Sequence, residues 1–135
     1  MELVSLISLM VLELHDTEIS DAGLVHLKDL TSLKRLAFEG TEITDAGLAH
    51  LKQLTELDGL ILNDTAIGDE GLEHLKELSN LKYLYIQDTD ITDDGLAHLE
   101  GLTKLIELNL ADTNLSDEAI DKLQEKLPNC KIEFP

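Results

Sequence analysis

Apolar and polar residues follow a pattern along this chain that returns every 24 residues, as Thr17, Thr41 and Thr65 show. A period of about 20 to 50 residues is typical of stacked units that share one core. Within one unit the apolar spacing changes from two residues to three or four, which marks a change from strand to helix. The pattern therefore predicts a strand, a turn and a helix in every unit.

The strand of each unit is a short apolar step such as Leu36-x-Phe38, in which the flanking positions point to the opposite face. After a polar turn, Thr44 and Asp45 predict the start of a helix, with the hydroxyl as its N-cap and the carboxylate in its first turn. Ser20, Thr92 and Ser116 hold the N-cap position in other units.

Strands that alternate with helices at a fixed period must pair in parallel. Helices are wider (about 10 Å) than the spacing between strands (about 4.8 Å), so the stack must curve. We predict a right-handed α/β solenoid with a parallel sheet of about six short strands on the concave face and helices on the convex face. The repeats divide a single domain, 1–135, into an N-terminal half repeat (1–16), four repeats (17–112) and a C-terminal capping repeat (113–135).

The last unit departs from the repeat in a way that indicates a cap. Ala119 and Ile120 replace the Gly-Leu pair of the other units, and the final strand carries Lys131 and Glu133 before Pro135. Charged residues and proline protect an exposed sheet edge from pairing with another chain. We therefore expect the C-terminal strand to close one end of the sheet.

The segment from Leu33 to Ile43, with leucines or Phe38 at the apolar positions, resembles the leucine-rich repeat family. That family often has Asn where this chain has Thr41, and the variant is similar to bacterial members whose helices read Thr-Asp-x-Gly-Leu-x-x-Leu. The resemblance covers nearly the whole chain in register. It implies binding of proteins or peptides on the concave face, and it implies no catalytic activity.

The outward positions of the predicted strands do not repeat, in contrast to the core positions. Both tyrosines of the chain, Tyr83 and Tyr85, lie there beside Ile61, and tyrosine is among the residue types that dominate binding interfaces. We predict a noncatalytic module that binds an unidentified protein or peptide through this face. The predicted binding residues are Arg35, Ile61, Asn63, Tyr83, Tyr85, Gln87, Glu107 and Asn109.

The net charge and the single cysteine limit the classes of partner and the cellular compartment that we expect for this protein. The formal net charge is −18, from ten basic and twenty-eight acidic residues, which disfavours nucleic acid and anionic membranes. Cys130 is the one cysteine, so no internal disulfide forms, and no signal peptide or spanning segment is evident. We predict a cytoplasmic location, no enzymatic activity and no cofactor.

Two sets of residues that recur at equivalent positions of successive repeats are candidate metal ligands by residue type. His50, His74 and their equivalents lie on different helices, too far apart to share one ion, and we interpret them as packing residues at the flank of the apolar stripe. Aspartates recur at the strand exits and at the helix starts, where turns and helix N-termini favour them. A calcium-stabilised array is a minor alternative, and we predict no metal site.

Self-assembly is the main alternative function. The predicted strand near Val11 has an uncapped N-terminal edge, and such an edge can pair with a second copy. In that case the module is a spacer or a homodimer joined at this edge, and Leu3, Leu6 and Leu9 matter more than the tyrosines.

Overall fold

The computed structural model describes residues 10–135. Leu3, Leu6 and Leu9, which the sequence assigns to the half repeat, lie outside the described residues. Within that range the chain forms one open parallel sheet in which each strand pairs with the next along the chain. The strands are β1 (Val11–Glu13), β2 (Arg35–Ala37), β3 (Gly59–Ile61), β4 (Tyr83–Tyr85), β5 (Glu107–Asn109) and β6 (Lys131–Glu133).

The register of the sheet follows the 24-residue period without a slip. Leu36 pairs with Leu12 on one side and with Leu60 on the other, and Leu84 and Leu108 continue the same inward column. Leu36, Leu60, Leu84 and Leu108 are at most 1% exposed. The predicted strands, their order and their inward leucines are confirmed.

The helical segments complete each repeat and enclose one aliphatic core between helices and sheet. Several are a single turn that tightens into a 3-10 turn, because backbone N–H groups such as those of Gly47 and Gly95 bond the carbonyl three residues earlier. The helices are α1 (Asp21–Leu24, then a 3-10 turn at Val25–Leu27), α2 (Asp45–Leu48, then Ala49–Leu51), α3 (Asp69–Leu75), a 3-10 helix (Asp93–Leu99) and α4 (Asp117–Lys126).

The threonine column fixes the turn after each strand. Thr41 is buried, and its hydroxyl donates to the carbonyl of Phe38 at 2.7 Å; Thr65 and Thr89 make the same bond to Leu62 and Ile86. Each hydroxyl thereby gives a backbone carbonyl beside the core a hydrogen-bond donor. Threonine therefore serves the turn through a bond to the backbone.

The strand-exit aspartates have a conformational reason to be there. Asp16, Asp64, Asp88 and Asp112 adopt positive φ values of 50° to 56°, and Gly40 takes the same position with φ 71°. Aspartate tolerates this left-handed conformation better than most residues, and glycine adopts it freely. The column therefore belongs to the turn itself.

The predicted N-cap role of the hydroxyls is wrong at three of the four positions named. Ser20, Thr44 and Thr92 cap nothing with their side chains, and only Ser116 accepts a bond from Ala119 N, at 3.1 Å. The local sequence suggested a cap because a hydroxyl precedes an aspartate. The polar partner instead comes from the neighbouring repeat.

A carboxylate from the preceding repeat accepts from the backbone N–H at the helix start of four repeats, at Thr44, Gly68, Thr92 and Ser116. Asp21 accepts from Thr44 N at 2.7 Å and from its hydroxyl at 2.5 Å, and Asp69 does the same for Thr92. Asp45 accepts from Gly68 N at 2.6 Å. The helix-start aspartates therefore join successive repeats, in addition to their place in the first helical turn.

The C-terminal unit differs from the others as the sequence predicts. Helix α4 has ten residues and buries Leu123, while the carboxamide of Gln124 donates to the carbonyls of Leu127 and Cys130, both at 2.9 Å. On β6 the side chains of Lys131 and Glu133 are exposed, with Nζ and Oε1 3.8 Å apart. These charges face solvent at one edge of the sheet.

Candidate functional site

The outward side chains of the strands form two columns across the concave face, since the register aligns equivalent positions of successive repeats. Large and small residues are mixed within each column. The first column holds Val11, Arg35, Gly59, Tyr83, Glu107 and Lys131. The second column holds Glu13, Ala37, Ile61, Tyr85, Asn109 and Glu133.

A groove of about 430 Å³ lies over β1 to β4 on this face. Its floor is low because Ala37 and Gly59 carry little or no side chain and are buried, whereas Tyr83 and Tyr85 rise at one end and Val11 at the other. Val11 is 48% exposed. A concave apolar site of this size, edged by a few polar groups, is typical of ligand pockets.

Arg35 lies flat along the groove because Gly59 leaves room for it. A Cβ atom on Gly59 would be 3.3 Å from Arg35 Cγ, so the arginine stem occupies the space that a side chain would need. The guanidinium reaches to 5.8 Å from the centroid of the Tyr83 ring, and its Nε is 3.6 Å from Asp58 Oδ1. This arrangement partly neutralises the arginine and holds it beside the tyrosines.

The other half of the concave face is a polar network over β4 and β5. Tyr85 donates its hydroxyl to Glu107 Oε2 at 2.7 Å, and Asn109 donates to Gln87 Oε1 at 3.2 Å. Asn63 Oδ1 accepts from the backbone N–H of Gln87 at 2.8 Å. These bonds hold the polar side chains in fixed orientations on a half-buried surface.

The bond to Glu107 changes the acidity of Tyr85. The carboxylate of Glu107 accepts a hydrogen bond from the Tyr85 hydroxyl, which favours the neutral phenol. Partial burial of Tyr85 and the negative charges of Glu107 and Glu133 act in the same direction. Together they raise the pKa of Tyr85 from 10.0 to about 12. The hydroxyl therefore stays a donor to Glu107 throughout the physiological range.

The predicted binding residues divide between these two halves. Arg35, Ile61, Tyr83 and Tyr85 line the groove, whereas Asn63, Gln87, Glu107 and Asn109 belong to the polar network beyond it. Sequence reasoning left out residues that shape the groove, chiefly the small floor residues. A signal was present, because glycine and alanine interrupt columns of larger side chains. The residues left out are Val11, Glu13, Ala37, Asp58 and Gly59.

The histidine column and the cysteine take no part in this face. His26 is exposed, and His50, His74 and His98 are half-buried at successive repeats. Among residues 10–135, no three histidine, cysteine or carboxylate side chains are grouped so that they could hold a metal ion. Burial, with a contribution from the charge of Glu107, raises the pKa of the Cys130 thiol to about 11, which disfavours the reactive thiolate.

The parallel sheet, the helices on its outer side and the fixed period define a solenoid repeat protein. A family model described as "Leucine Rich repeat" matches residues 77–99 and 101–123. With the repeated motif and the solved structures below, this match shows that the chain belongs to the leucine-rich repeat family. No curated protein sequence matches the chain significantly.

Solved structures with the same fold come from bacterial leucine-rich repeat proteins. An internalin (InlF) of Listeria monocytogenes is 25% identical with a TM-score of 0.81, over 93% of this chain and 34% of that one. An internalin C2 from the same species is 26% identical with a TM-score of 0.65, over 94% and 71%. A leucine-rich repeat protein of Leptospira interrogans is 25% identical with a TM-score of 0.66, over 82% and 27%.

The chain spans about a third of the internalin InlF and about a quarter of the Leptospira protein. In the described part of the chain, no helix has the length and apolar character needed to cross a membrane.

Proposed function

We propose that this protein is a noncatalytic interaction module that binds a protein or peptide segment on its concave face. The groove over β1 to β4 is the observation that carries this proposal, since it is the place where aromatic, apolar and charged side chains converge. Tyr83 and Tyr85 are half-buried and fixed by contacts with Arg35 and Glu107. Such preorganised side chains lose little conformational entropy when a partner binds.

A binding role also agrees with the family. Leucine-rich repeats commonly serve as protein interaction modules, and the neighbours in structure are internalins and a leucine-rich repeat protein. The chemistry of the face supports a noncatalytic role. It offers tyrosine, amide and carboxylate groups that are engaged in hydrogen bonds with one another.

The proposal is tested by pull-down from a lysate of the source cell with three baits, analysed by mass spectrometry. The baits are the intact chain, a Tyr83→Ala, Tyr85→Ala variant and a control with Lys28→Ala and Lys52→Ala. The two lysines of the control are exposed beyond the helices of their repeats. A partner kept by the intact chain and the control but lost from the tyrosine variant supports the proposal.

If all three baits capture the same proteins, the tyrosines do not contribute to binding and the concave proposal fails. Circular dichroism of each bait must show an unchanged melting curve, so that loss of a partner is not loss of fold. This control is feasible because both tyrosines lie on the outward face of β4, away from the aliphatic core.

Self-assembly through the N-terminal edge is a second candidate, favoured by one observation. Within residues 10–135, β1 pairs with β2 alone, and Met10 and Val11 beside it are 49% and 48% exposed. Such an edge can add a strand from another copy. Light scattering during size-exclusion chromatography decides the question, because a mass of 14.9 kDa at every concentration rules out pairing and a doubled mass that Val11→Lys reverses supports it.

A further inference from the structure

The charges around the groove are unevenly placed. Arg35 has its own carboxylate partner in Asp58, with Nε and Oδ1 3.6 Å apart. Glu13 and Glu39 are exposed and make no ion pair or side-chain hydrogen bond within the described residues. Glu13 lies on β1 and lines the groove, and Glu39 lies in the turn two residues beyond the end of β2, so this side of the groove presents uncompensated negative charge.

The register places these two carboxylates around the small residue Ala37. Glu13 is its direct partner on β1, about 4.8 Å away in backbone spacing, and Glu39 lies two residues further along, about 6.6 Å away. Ala37 is only 4% exposed. The floor of the groove is thus an apolar depression with a glutamate on each of two sides.

An extended peptide has a matching geometry. Its residues i and i+2 project to the same side, about 6.6 to 7 Å apart. When such a peptide runs along the direction of β2, an apolar side chain seated over Ala37 and Ile61 brings the side chain two positions away, on one side, to the level of Glu39. A lysine or arginine there would pair with a carboxylate that has no partner, and the net charge of −18 attracts a basic segment over longer distances.

We propose that the groove binds an extended partner segment in which an apolar residue lies two positions away from a lysine or arginine. The inference rests on the proposed function, because it names the chemistry of the partner at the same face. The apolar residue fills the depression above Ala37, and the basic residue pairs with Glu39 and Glu13. Tyr83 and Tyr85 form the opposite wall of the site.

The test uses a library of short random peptides displayed on phage and selected on the immobilised full chain. The most enriched peptide is synthesised with a fluorescent label, and its dissociation constant is measured by anisotropy at low and at high salt. The expected consensus is an apolar residue two positions away from a lysine or arginine.

Three variants locate the binding of that peptide. Glu13→Gln with Glu39→Gln weakens it about fivefold or more at low salt, with the difference shrinking at high salt. Ala37→Leu fills the floor and weakens it at least about tenfold. The matched control, Glu18→Gln with Glu42→Gln, removes the same charge from exposed glutamates just beyond the two strand-exit turns, and leaves the constant unchanged.

The remaining outcomes separate the two proposals. The inference is overturned if the enriched peptides are acidic, lack the basic residue or bind the glutamate variant as tightly as the unchanged chain. The concave proposal still stands in that case if Tyr83→Ala, Tyr85→Ala abolishes binding of those peptides. If no peptide is enriched, or none responds to any concave variant, both proposals fail.

Discussion

Gly95→Ala tests the contact between successive repeats. A Cβ atom on Gly95 would lie well inside the van der Waals distance of Asp69 Oδ1, 2.9 Å from Asp69 Cγ and 3.1 Å from Leu72 Cδ1. That carboxylate accepts from the N–H and the hydroxyl of Thr92. A single methyl group therefore has to displace the group that joins two repeats.

The expected loss can be worked out from its parts. Forcing a group into a packed site costs about 1 to 3 kcal/mol, and weakening hydrogen bonds to a carboxylate costs about 1.5 to 3 kcal/mol. Alanine returns about 0.4 to 1 kcal/mol by restricting the unfolded chain. Because Asp69 is only half-buried, we expect the lower part of the range, about 2 to 3 kcal/mol, or roughly 10 °C in Tm.

The assay is urea unfolding followed by circular dichroism, with Gly101→Ala as the matched control. Gly101 is exposed and a Cβ atom there meets nothing within 4 Å, so its free energy of unfolding should change by less than about 0.5 kcal/mol. A double-mutant cycle with Asp69→Ala isolates the contact. Once the carboxylate is gone, Gly95→Ala should be less harmful by about 1 to 3 kcal/mol.

Two results would refute this reasoning. Equal stability of Gly95→Ala and Gly101→Ala would mean that the carboxylate does not restrict the glycine. Additive losses in the cycle would mean that the cost arises elsewhere, for instance at Leu72.

Three further predictions concern ionisation. The N–H and the hydroxyl of Ser116 donate hydrogen bonds to the Asp93 carboxylate and lower the pKa of Asp93 below 3.8. The stability that the ionised Asp93 contributes is therefore present above pH 3.8 and is lost as the pH falls further, so the Tm of Asp93→Asn should fall less steeply in acid than that of the unchanged protein. In a Tyr83→Phe background, ultraviolet titration should show Tyr85 ionising near pH 12, and Glu107→Gln should move the midpoint towards 10.0. Thiol reagents should label Cys130 slowly in the folded protein and rapidly in urea, since the buried thiol has a pKa of about 11.

The fold was predictable because the sequence states it repeatedly. A slip of one residue would carry every leucine of a strand to the outer face, and five consecutive pairings in register leave no room for such a slip. Strand order, inward leucines and the polar final strand followed from this alone. The helical segments differ in length, from the four-residue α1 and α2, each continued by a 3-10 turn, to the ten-residue α4, and the repeated pattern does not predict this difference.

The hydrogen bonds between successive repeats could not be predicted from the 24-residue pattern. Thr44 followed by Asp45 has the sequence of a local N-cap, yet the atoms that bind Thr44 belong to Asp21, one repeat earlier. A local pattern cannot distinguish a neighbour along the chain from a neighbour across the stack. In the last repeat both kinds of bond occur. Ser116 donates its N–H and its hydroxyl to Asp93 of the preceding repeat, and with φ −87° instead of about −129° its hydroxyl also accepts from the N–H of Ala119, which replaces glycine.

The concave face was predictable as a surface and only in part as a site. Its columns do not repeat, so the period assigns each residue to a face without saying how the side chains arrange themselves there. The position of Arg35 depends on the absence of a side chain at Gly59, because the arginine stem occupies the space that such a side chain would need. A side chain at that position would have to displace the arginine stem, since its Cβ atom alone would lie 3.3 Å from Arg35 Cγ. The smallest residues of the face therefore set its shape, and the aromatic residues, which a sequence makes conspicuous, form the wall.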